Sequence, residues 1–289
     1  MIRTVNEAYL DLRNQLRGAE VSGANIEARE LVCFALDIER EEFHHKKDQL
    51  VFDKQWGRIE ALRDRRLSGV PVQYITGKWE FYSVPLFVTE DTLIPRADTE
   101  ILVDTAVSFL GERDKGRLLD LCCGGGCIGI AVLKNVSESI TGTFADASER
   151  ALQVARKNLL HNLLTIRALT HVTDALQPPN EQQLGRYNCI VCNPPYIPSA
   201  EIENLDAEVR HEPRMALDGG RDGLDFYRAI AKNYKGLLAR GGALMFEVGL
   251  GQWDSVKAIL KNYGYRHIKV QKDLSGIERV VWGVVDPKN

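Results

Sequence analysis

Val5, Tyr9, Leu12 and Leu16 recur at spacings of three and four, and Leu31, Phe34, Ala35 and Ile38 repeat the stripe, so the chain opens as amphipathic helices. Trp56, Ile59 and Leu62 begin a third, giving a small, nearly charge-balanced helical bundle over residues 1–78. The period then changes. WEFYSVPLFVTEDTLIP, from Trp79 to Pro95, is rich in aromatic and β-branched residues around a proline-marked bend, which predicts a β-hairpin linker over 79–97. From Asp98 onward short apolar strands alternate with helices. Asp98 or Thr99 is placed to cap a helix running to about Leu110, followed by the strand RLLDL, the helix CIGIAVLKN, the strand SITGTFAD and the helix SERALQVARKNLLHN. TIRALTHV, YNCIVCN and GALMFEV continue the strands, with helices near 223–239 and 251–263, and HIKVQKD and RVVWGVV follow with no room for a helix between them. Repeated β-α-β order predicts an α/β, Rossmann-like domain over 98–289: a mostly parallel sheet, covered on both faces, with one antiparallel strand in the region of an edge. Ligands in such sheets bind beyond the carboxyl ends of the strands, where the strand order reverses.

A chain of 289 residues that is 44% hydrophobic suffices for one large domain and a smaller one. No run approaches the ~18 apolar residues of a membrane helix, and MIRTVNEAYLDLRNQL carries acids within an amphipathic pattern, so a cytoplasmic chain without a membrane partner is expected. A net charge of −3 and a pI near 6.1 argue against stable nucleic-acid binding, which draws its affinity from clustered Lys and Arg. Cysteines 33, 122, 123, 127, 189 and 192 do not have the spacing of a disulfide framework. Adjacent Cys122 and Cys123 make poor tetrahedral geometry and no histidine joins at ligand spacing, so core packing rather than a metal site is the expectation.

LLDLCCGGGCIG reads as a strand, a glycine turn and a helix start, a backbone able to approach a ligand closely and to offer it unpaired N–H groups. Gly124, Gly126 and Gly129 satisfy G-x-G-x-x-G, and Asp146 ends the next strand, where an acid grips ribose hydroxyls. These features alone suit a dinucleotide as well as another nucleoside cofactor. Asp120, a negative charge at the tip of the first strand of the fold, favours a cationic moiety over a pyrophosphate, and so points to S-adenosylmethionine. Asp174 is a candidate for an adenine amino group, with a surface-turn acid as the competing account.

IVCNPPY, residues 190–196, ends a buried strand with an asparagine, two prolines and a tyrosine. Proline donates nothing to a sheet ladder and holds its predecessor extended, so Asn193 and Pro194 leave the strand with fixed direction and free oxygens. A planar amide nitrogen is a poor nucleophile because its lone pair is delocalised; holding both its hydrogens on two acceptors, the Asn193 side-chain oxygen and the Pro194 carbonyl, favours a pyramidal arrangement. Tyr196 is expected to pack against the planar group and to favour a nearby cation. Displacement at a sulfonium needs alignment more than acid–base work, which accounts for the lack of a catalytic His or Cys.

At this point the sequence resembles the release-factor glutamine N5-methyltransferases of the PrmC/HemK type over nearly its whole length. PVQYITGKWEFYSVPLFVTEDTLIPRADTEILV (71–103), LLDLCCGGGCIGIAV (118–132), VCNPPYIP (191–198) and EVRHEPRMALDGGRDGL (208–224) carry the resemblance. It implies a class I methyltransferase domain that uses S-adenosylmethionine, and a substrate glutamine in the Gly-Gly-Gln motif of peptide chain release factors. It further implies that the N-terminal helical domain helps to dock the release factor; separately from the resemblance, a monomer is expected. Carried over, the cofactor loop falls on Asp120 and on Cys122, Cys123, Gly124, Gly125 and Gly126, with Asp146, Asp174 and Ala175 around the nucleoside. The amide clamp falls on Asn193, Pro194, Pro195 and Tyr196, and Arg96 and Glu100 are expected near the mouth of the site. Cys122 stands where the family usually has glycine, and Ala175 where some members carry an aromatic residue, so cofactor affinity is more affected than activity. Residues 197–221 are a candidate lid; Glu247, ending MFEV, faces the cleft without an assigned role. The rival readings are a nucleic-acid exocyclic-amine methyltransferase, a non-catalytic translation-factor-binding module and a nicotinamide oxidoreductase, the last leaving NPPY unexplained.

Overall fold

The computed structural model describes residues 3–286, which form two compact units: the chain up to Lys78 together with Ala207–His211, and Trp79–Asp206 together with Glu212 onward. In the first unit, helices α1 (Val5–Gly18), α2 (Ala24–Leu36) and α3 (Asp53–Leu67) bury Val5, Leu12, Leu16, Leu31 and Ile59 against one another. Fully burying such a side chain contributes about 1.5–3 kcal/mol relative to leaving it in water. Thr4 starts α1 with a capping box: Glu7 N donates to Thr4 Oγ1 at 3.2 Å, and Thr4 N donates to Glu7 Oε2 at 2.7 Å. Arg66 is only 2% exposed and meets two carboxylates, Glu27 at 2.5 Å and Glu208 of the 207–211 excursion.

A hairpin, β1 (Lys78–Phe81) and β2 (Val84–Phe87), leads into the second unit. Its turn residues Tyr82 and Ser83 have φ of 53° and 57°, the left-handed pair that matches strand twist but that non-glycine residues adopt reluctantly. Glu100 holds that turn, its Oε1 accepting from Tyr82 N at 3.0 Å, and the Tyr82 hydroxyl donates to Asp104 at 2.7 Å.

A seven-stranded sheet follows: β3 (Gly116–Leu121), β4 (Ile140–Asp146), β5 (Ala168–Val172), β6 (Tyr187–Cys192), β7 (Leu238–Glu247), β8 (Arg266–Lys272) and β9 (Glu278–Val284). Their spatial order is β8-β9-β7-β6-β3-β4-β5, and only β9 runs antiparallel. The antiparallel strand is therefore one in from the border, because β9 turns back between β7 and β8 instead of adding outside them. Alternate residues of β3 enter two cores. Leu118 packs with α4 (Glu100–Gly111) and α5 (Cys127–Lys134), whereas Leu119 and Leu121 pack with α7 (Asp225–Asn233) and α8 (Trp253–Asn262). α6 (Glu149–His161) contributes Leu152 and Leu159 to the first.

One local expectation fails. Neither Asp98 nor Thr99 caps α4: a 3₁₀ turn over Ala97–Thr99 leads into it, and Thr99 is itself helical with no side-chain bond to the helix. Asp98 is instead drawn to Arg279 on β9, at 2.5 Å. Charge attraction to a neighbouring strand displaces the local cap. The sequence from β3 passes to β4 on one side and, two strands later, to β6 on the other, so the strand order reverses between β3 and β6.

Candidate active site

A cavity of about 410 Å³ opens at that reversal. Its walls are the hairpin and its exit (Phe87, Thr92, Pro95), the glycine loop (Cys122–Gly125), Asp146, residues 173–176, Asn193 with Pro195, and Pro213, Met215, Ala216 and Asp218. Of the residues expected at the site, Cys122, Cys123, Gly124, Gly125, Asp146, Asp174, Ala175, Asn193 and Pro195 line it; Asp120, Gly126, Pro194, Tyr196, Arg96 and Glu100 stand outside its wall.

The glycine loop owes its shape to left-handed residues. Gly124 and Gly126 have φ of 52° and 82°, and Cys122 at 57° shares the conformation without glycine's freedom, which fits the family's usual glycine at that place. Gly126 precedes α5 directly. At Gly129 a Cβ would lie 2.5 Å from Phe144 and 2.8 Å from Asp120 Oδ2. The absence of that atom lets Gly129 N donate to Asp120 Oδ2 at 2.8 Å. Asp120 is thus fully buried behind the loop, not at its surface, and its Oδ1 has no partner. Burial pushes its carboxyl up to about 7, with nearby Asp146 adding to the effect. Asp146 receives two backbone donors, Gly124 N and Ser148 N, each at 2.9 Å. Burial still raises it above the ordinary carboxylate range. Asp174 is exposed and spends Oδ1 on Leu176 N at 2.9 Å, while Ala175 beside it is buried.

Two buried polar residues, silent in the sequence reading, hold the walls together. Asn158 on α6 joins hairpin to loop: its Nδ2 donates to Gly125 O at 2.9 Å and Phe87 O at 3.0 Å, and its Oδ1 accepts from Phe87 N at 2.7 Å. The available signal was an asparagine on the apolar stripe of a helix, with Asn162 four residues on. Glu212 joins the 71–103 and 208–224 segments, accepting from Ile94 N at 2.9 Å and pairing with Arg96. Arg96 and Glu100 therefore support the wall and the hairpin rather than reach into the cavity.

The NPPY elbow is clamped from three sides. A Cβ at Gly219 would lie 2.7 Å from Tyr196 Cα and 2.8 Å from Pro195 O, and one at Gly223 would lie 2.3 Å from Tyr196 O. Gln252, just before α8, donates to Tyr196 O at 2.9 Å and accepts from Gly249 N at 3.1 Å. Tyr196 packs in the α7–α8 core, where burial pushes its phenol up to about 12. It stiffens the elbow from behind instead of facing the cavity. The segment after it is tied back too: Ile197 N donates to Leu217 O, Gly219 N to Ile197 O and Ser199 N to Gly220 O, each at 2.9 Å. Asn193 reaches the cavity wall, its Nδ2 donating to Thr99 Oγ1 at a long 3.5 Å.

Cys123, Cys189 and Cys192 are buried and their thiols are raised by that burial. No group of three His, Cys, Asp or Glu among the described residues is arranged to hold a metal ion, and no helix among them is long and apolar enough to cross a membrane.

The family described as the PrmC N-terminal domain matches residues 7–77, and the methyltransferase small domain matches residues 98–217. The release factor glutamine methyltransferase of Thermodesulfovibrio yellowstonii is 38% identical over 264 residues, covering 88% of this chain and 90% of its own. That of Agrobacterium fabrum is 36% identical over 283 residues, 96% of each chain. A solved methyltransferase from Pyrococcus furiosus, 15% identical, shares the fold with a TM-score of 0.51 over 71% of this chain and 91% of its own. On the strength of relatives this similar along almost their full length, the chain belongs to the release factor glutamine methyltransferase family.

Proposed function

We propose that the chain transfers the methyl group of S-adenosylmethionine to the side-chain amide nitrogen of the glutamine in the Gly-Gly-Gln motif of peptide chain release factors, with Asn193 and Pro194 as the clamp on the incoming amide. The observation that carries this reading is the braced elbow: Gly219 and Gly223 lie close against the Pro195–Tyr196 backbone and Gln252 holds Tyr196 O, so the chain just after Asn193 and Pro194 is fixed at the cavity edge. A carboxamide entering there gives one hydrogen to the Asn193 side-chain oxygen and the other to the Pro194 carbonyl. Preorganised acceptors of this kind contribute about 3–4 kcal/mol each to a transition state.

The residues fit the methyl donor. Asp120 keeps an unpartnered oxygen behind the glycine loop, Asp146 and Asp174 present carboxylates along one wall, and the loop at Cys122–Gly125 offers close backbone approach. When bound, S-adenosylmethionine supplies a methyl carbon activated by its sulfonium. Asp146 is suited to ribose hydroxyls, Asp174 and Ala175 to the adenine, and Cys122 to Gly126, with Asp120 behind them, to the amino-acid end. Pro195, Phe87 and Pro95 exclude water, which strengthens every polar contact inside. Arg96 and Glu100 act on the substrate only through the walls they brace.

The helical unit, with Ala207–His211, serves as a docking surface for the release factor, and the chain works as a monomer in the cytoplasm, where release factors act. The test offers labelled S-adenosylmethionine with a purified release factor, the same factor with its motif glutamine replaced, and duplex DNA. Label is expected on the first alone. Label on DNA, or on the glutamine-replaced factor, removes the assignment.

A further inference from the structure

Glu247 is the last residue of β7, one step past the Cys192–Phe246 pairing that sets β6 against β7. It therefore lies level with Asn193 at the carboxyl end of the sheet, on the adjacent parallel strand. It is 4% exposed, its Oε2 has no hydrogen-bond partner, and nothing in the reaction described above uses it. Thr99, 2% exposed, stands at the same place, with its hydroxyl receiving the Asn193 Nδ2 hydrogen. A buried carboxylate with one oxygen unpartnered is costly, so its presence beside the elbow calls for a compensating role.

A carboxamide can rotate half a turn about its last bond, exchanging acceptor for donor, and Asn193 works as a clamp only with its oxygen outward. A carboxylate accepts hydrogen bonds and donates none. Beside it, the outward-oxygen rotamer sets N–H against an acceptor, whereas the flipped rotamer would set oxygen against oxygen. We propose that Glu247 is a positioning residue that, together with the Thr99 hydroxyl, holds the Asn193 carboxamide with its nitrogen inward and its oxygen toward the substrate amide. This rests on the reading of Asn193 as the amide clamp.

The charges and titratable groups around Glu247 are Arg279 on β9, Asp98 before α4, Tyr196 on the elbow, Tyr227 on α7 and Cys127 on α5. Burial dominates and pushes Glu247 up to about 7; Thr99, Arg279 and Asn193 draw it down and Asp98 raises it. Its ionisation thus falls within the neutral range, and turnover should rise with it.

The experiment combines Glu247→Leu and Glu247→Gln with Asn193→Ala, reading kcat, KM for the release factor, cofactor Kd and the pH profile. Glu247→Leu is expected to lower kcat about tenfold or more with cofactor Kd within about twofold, the signature of an interaction realised in the transition state. Glu247→Gln, which keeps an acceptor oxygen, should retain kcat within about threefold and lose the rise near pH 7, because the ionising group is gone. In the Asn193→Ala background Glu247→Leu should add nothing, as expected of residues acting through one another. Additive losses, a parallel loss of cofactor affinity, or full turnover in Glu247→Leu overturn the proposal. Additivity with Asn193→Ala still inactive leaves the clamp standing without Glu247; full turnover in Asn193→Ala removes the clamp itself. Should Glu247→Leu fail to fold, the pH profile of Glu247→Gln decides: a rise that persists there and is not removed by adding Asp120→Asn, the other carboxyl raised to about 7, overturns the assignment.

Discussion

Glu212 and Arg96 form an ion pair in which the acid is buried and the guanidinium lies at the surface, while the second oxygen of the same acid accepts from Ile94 N at 2.9 Å. One carboxylate thus fastens the segment before α4 to the segment after the elbow. Glu212→Ala strips an acceptor from a buried N–H and should destabilise the chain by about 2–3 kcal/mol. Glu212→Gln, which keeps an acceptor, should cost less than half of that. Urea unfolding of both variants checks the ordering, and equal losses would show that charge alone matters.

Cys122 carries a φ of 57°, where a side chain is strained and glycine is not. Cys122→Gly relieves the strain but loosens the unfolded chain, so the net gain should be about 0.5–1 kcal/mol, or a Tm rise of ~2–4 °C. Calorimetry decides, and a fall in Tm would mean that the thiol's packing outweighs the backbone.

Gly129 admits no Cβ, since one would press on Phe144 at 2.5 Å and on Asp120 Oδ2 at 2.8 Å. Gly129→Ala should destabilise by about 1–3 kcal/mol and weaken S-adenosylmethionine binding, because the displaced carboxylate loses its only N–H donor. Titration calorimetry with the cofactor gives the readout. Unchanged affinity would detach Asp120 from the cofactor site.

Asp120 titrates near 7 when folded against an ordinary carboxylate value of 3.8 when unfolded, because burial disfavours its charge. Between those values the native chain retains a proton that the unfolded chain has released, so stability falls as pH rises from about 4 to about 7 and the penalty is complete above. Asp120→Asn removes that penalty. Its Tm should exceed the parent's at pH 8 and match it near pH 4 in paired thermal melts without cofactor. A constant difference across pH would rule the linkage out.

Gly219→Ala tests the elbow separately from the cofactor wall. A Cβ 2.7 Å from Tyr196 Cα and 2.8 Å from Pro195 O meets backbone on both sides, and backbone cannot rotate out of the way. Turnover should fall about tenfold or more while cofactor affinity holds, since a small misplacement of an acceptor suffices. Loss of both together would point to general unfolding of the wall.

The strands and helices of the second unit were legible because their periods of 2 and 3.6 are set by which face is buried, and Leu118 and Leu119 divide between the two cores accordingly. The elbow was legible because proline and glycine constrain backbone whatever the surroundings. Asp98 was misread as a cap because its partner, Arg279, lies 181 positions along the chain. Glu212 and Asn158 were invisible for a related reason: a buried polar residue takes its role from remote backbone groups, such as Ile94 N and Phe87 O, that no local pattern contains. Asp120 was expected to expose its charge, and its inward turn follows from Gly129, nine residues on, offering the nearer donor.

The inward position of β9 has a bearing on how the chain is made. A nascent polypeptide that has emerged only as far as β8 has a bare rim along β7, and β8 has nothing to pair with, since β9 is its sole neighbour and joins it to the rest. The border of the sheet can close only when the latest-synthesised strand slots between two earlier ones. A chain whose residues 278–284 have not yet emerged therefore leaves an open edge available for aggregation, which emergence of those seven residues seals.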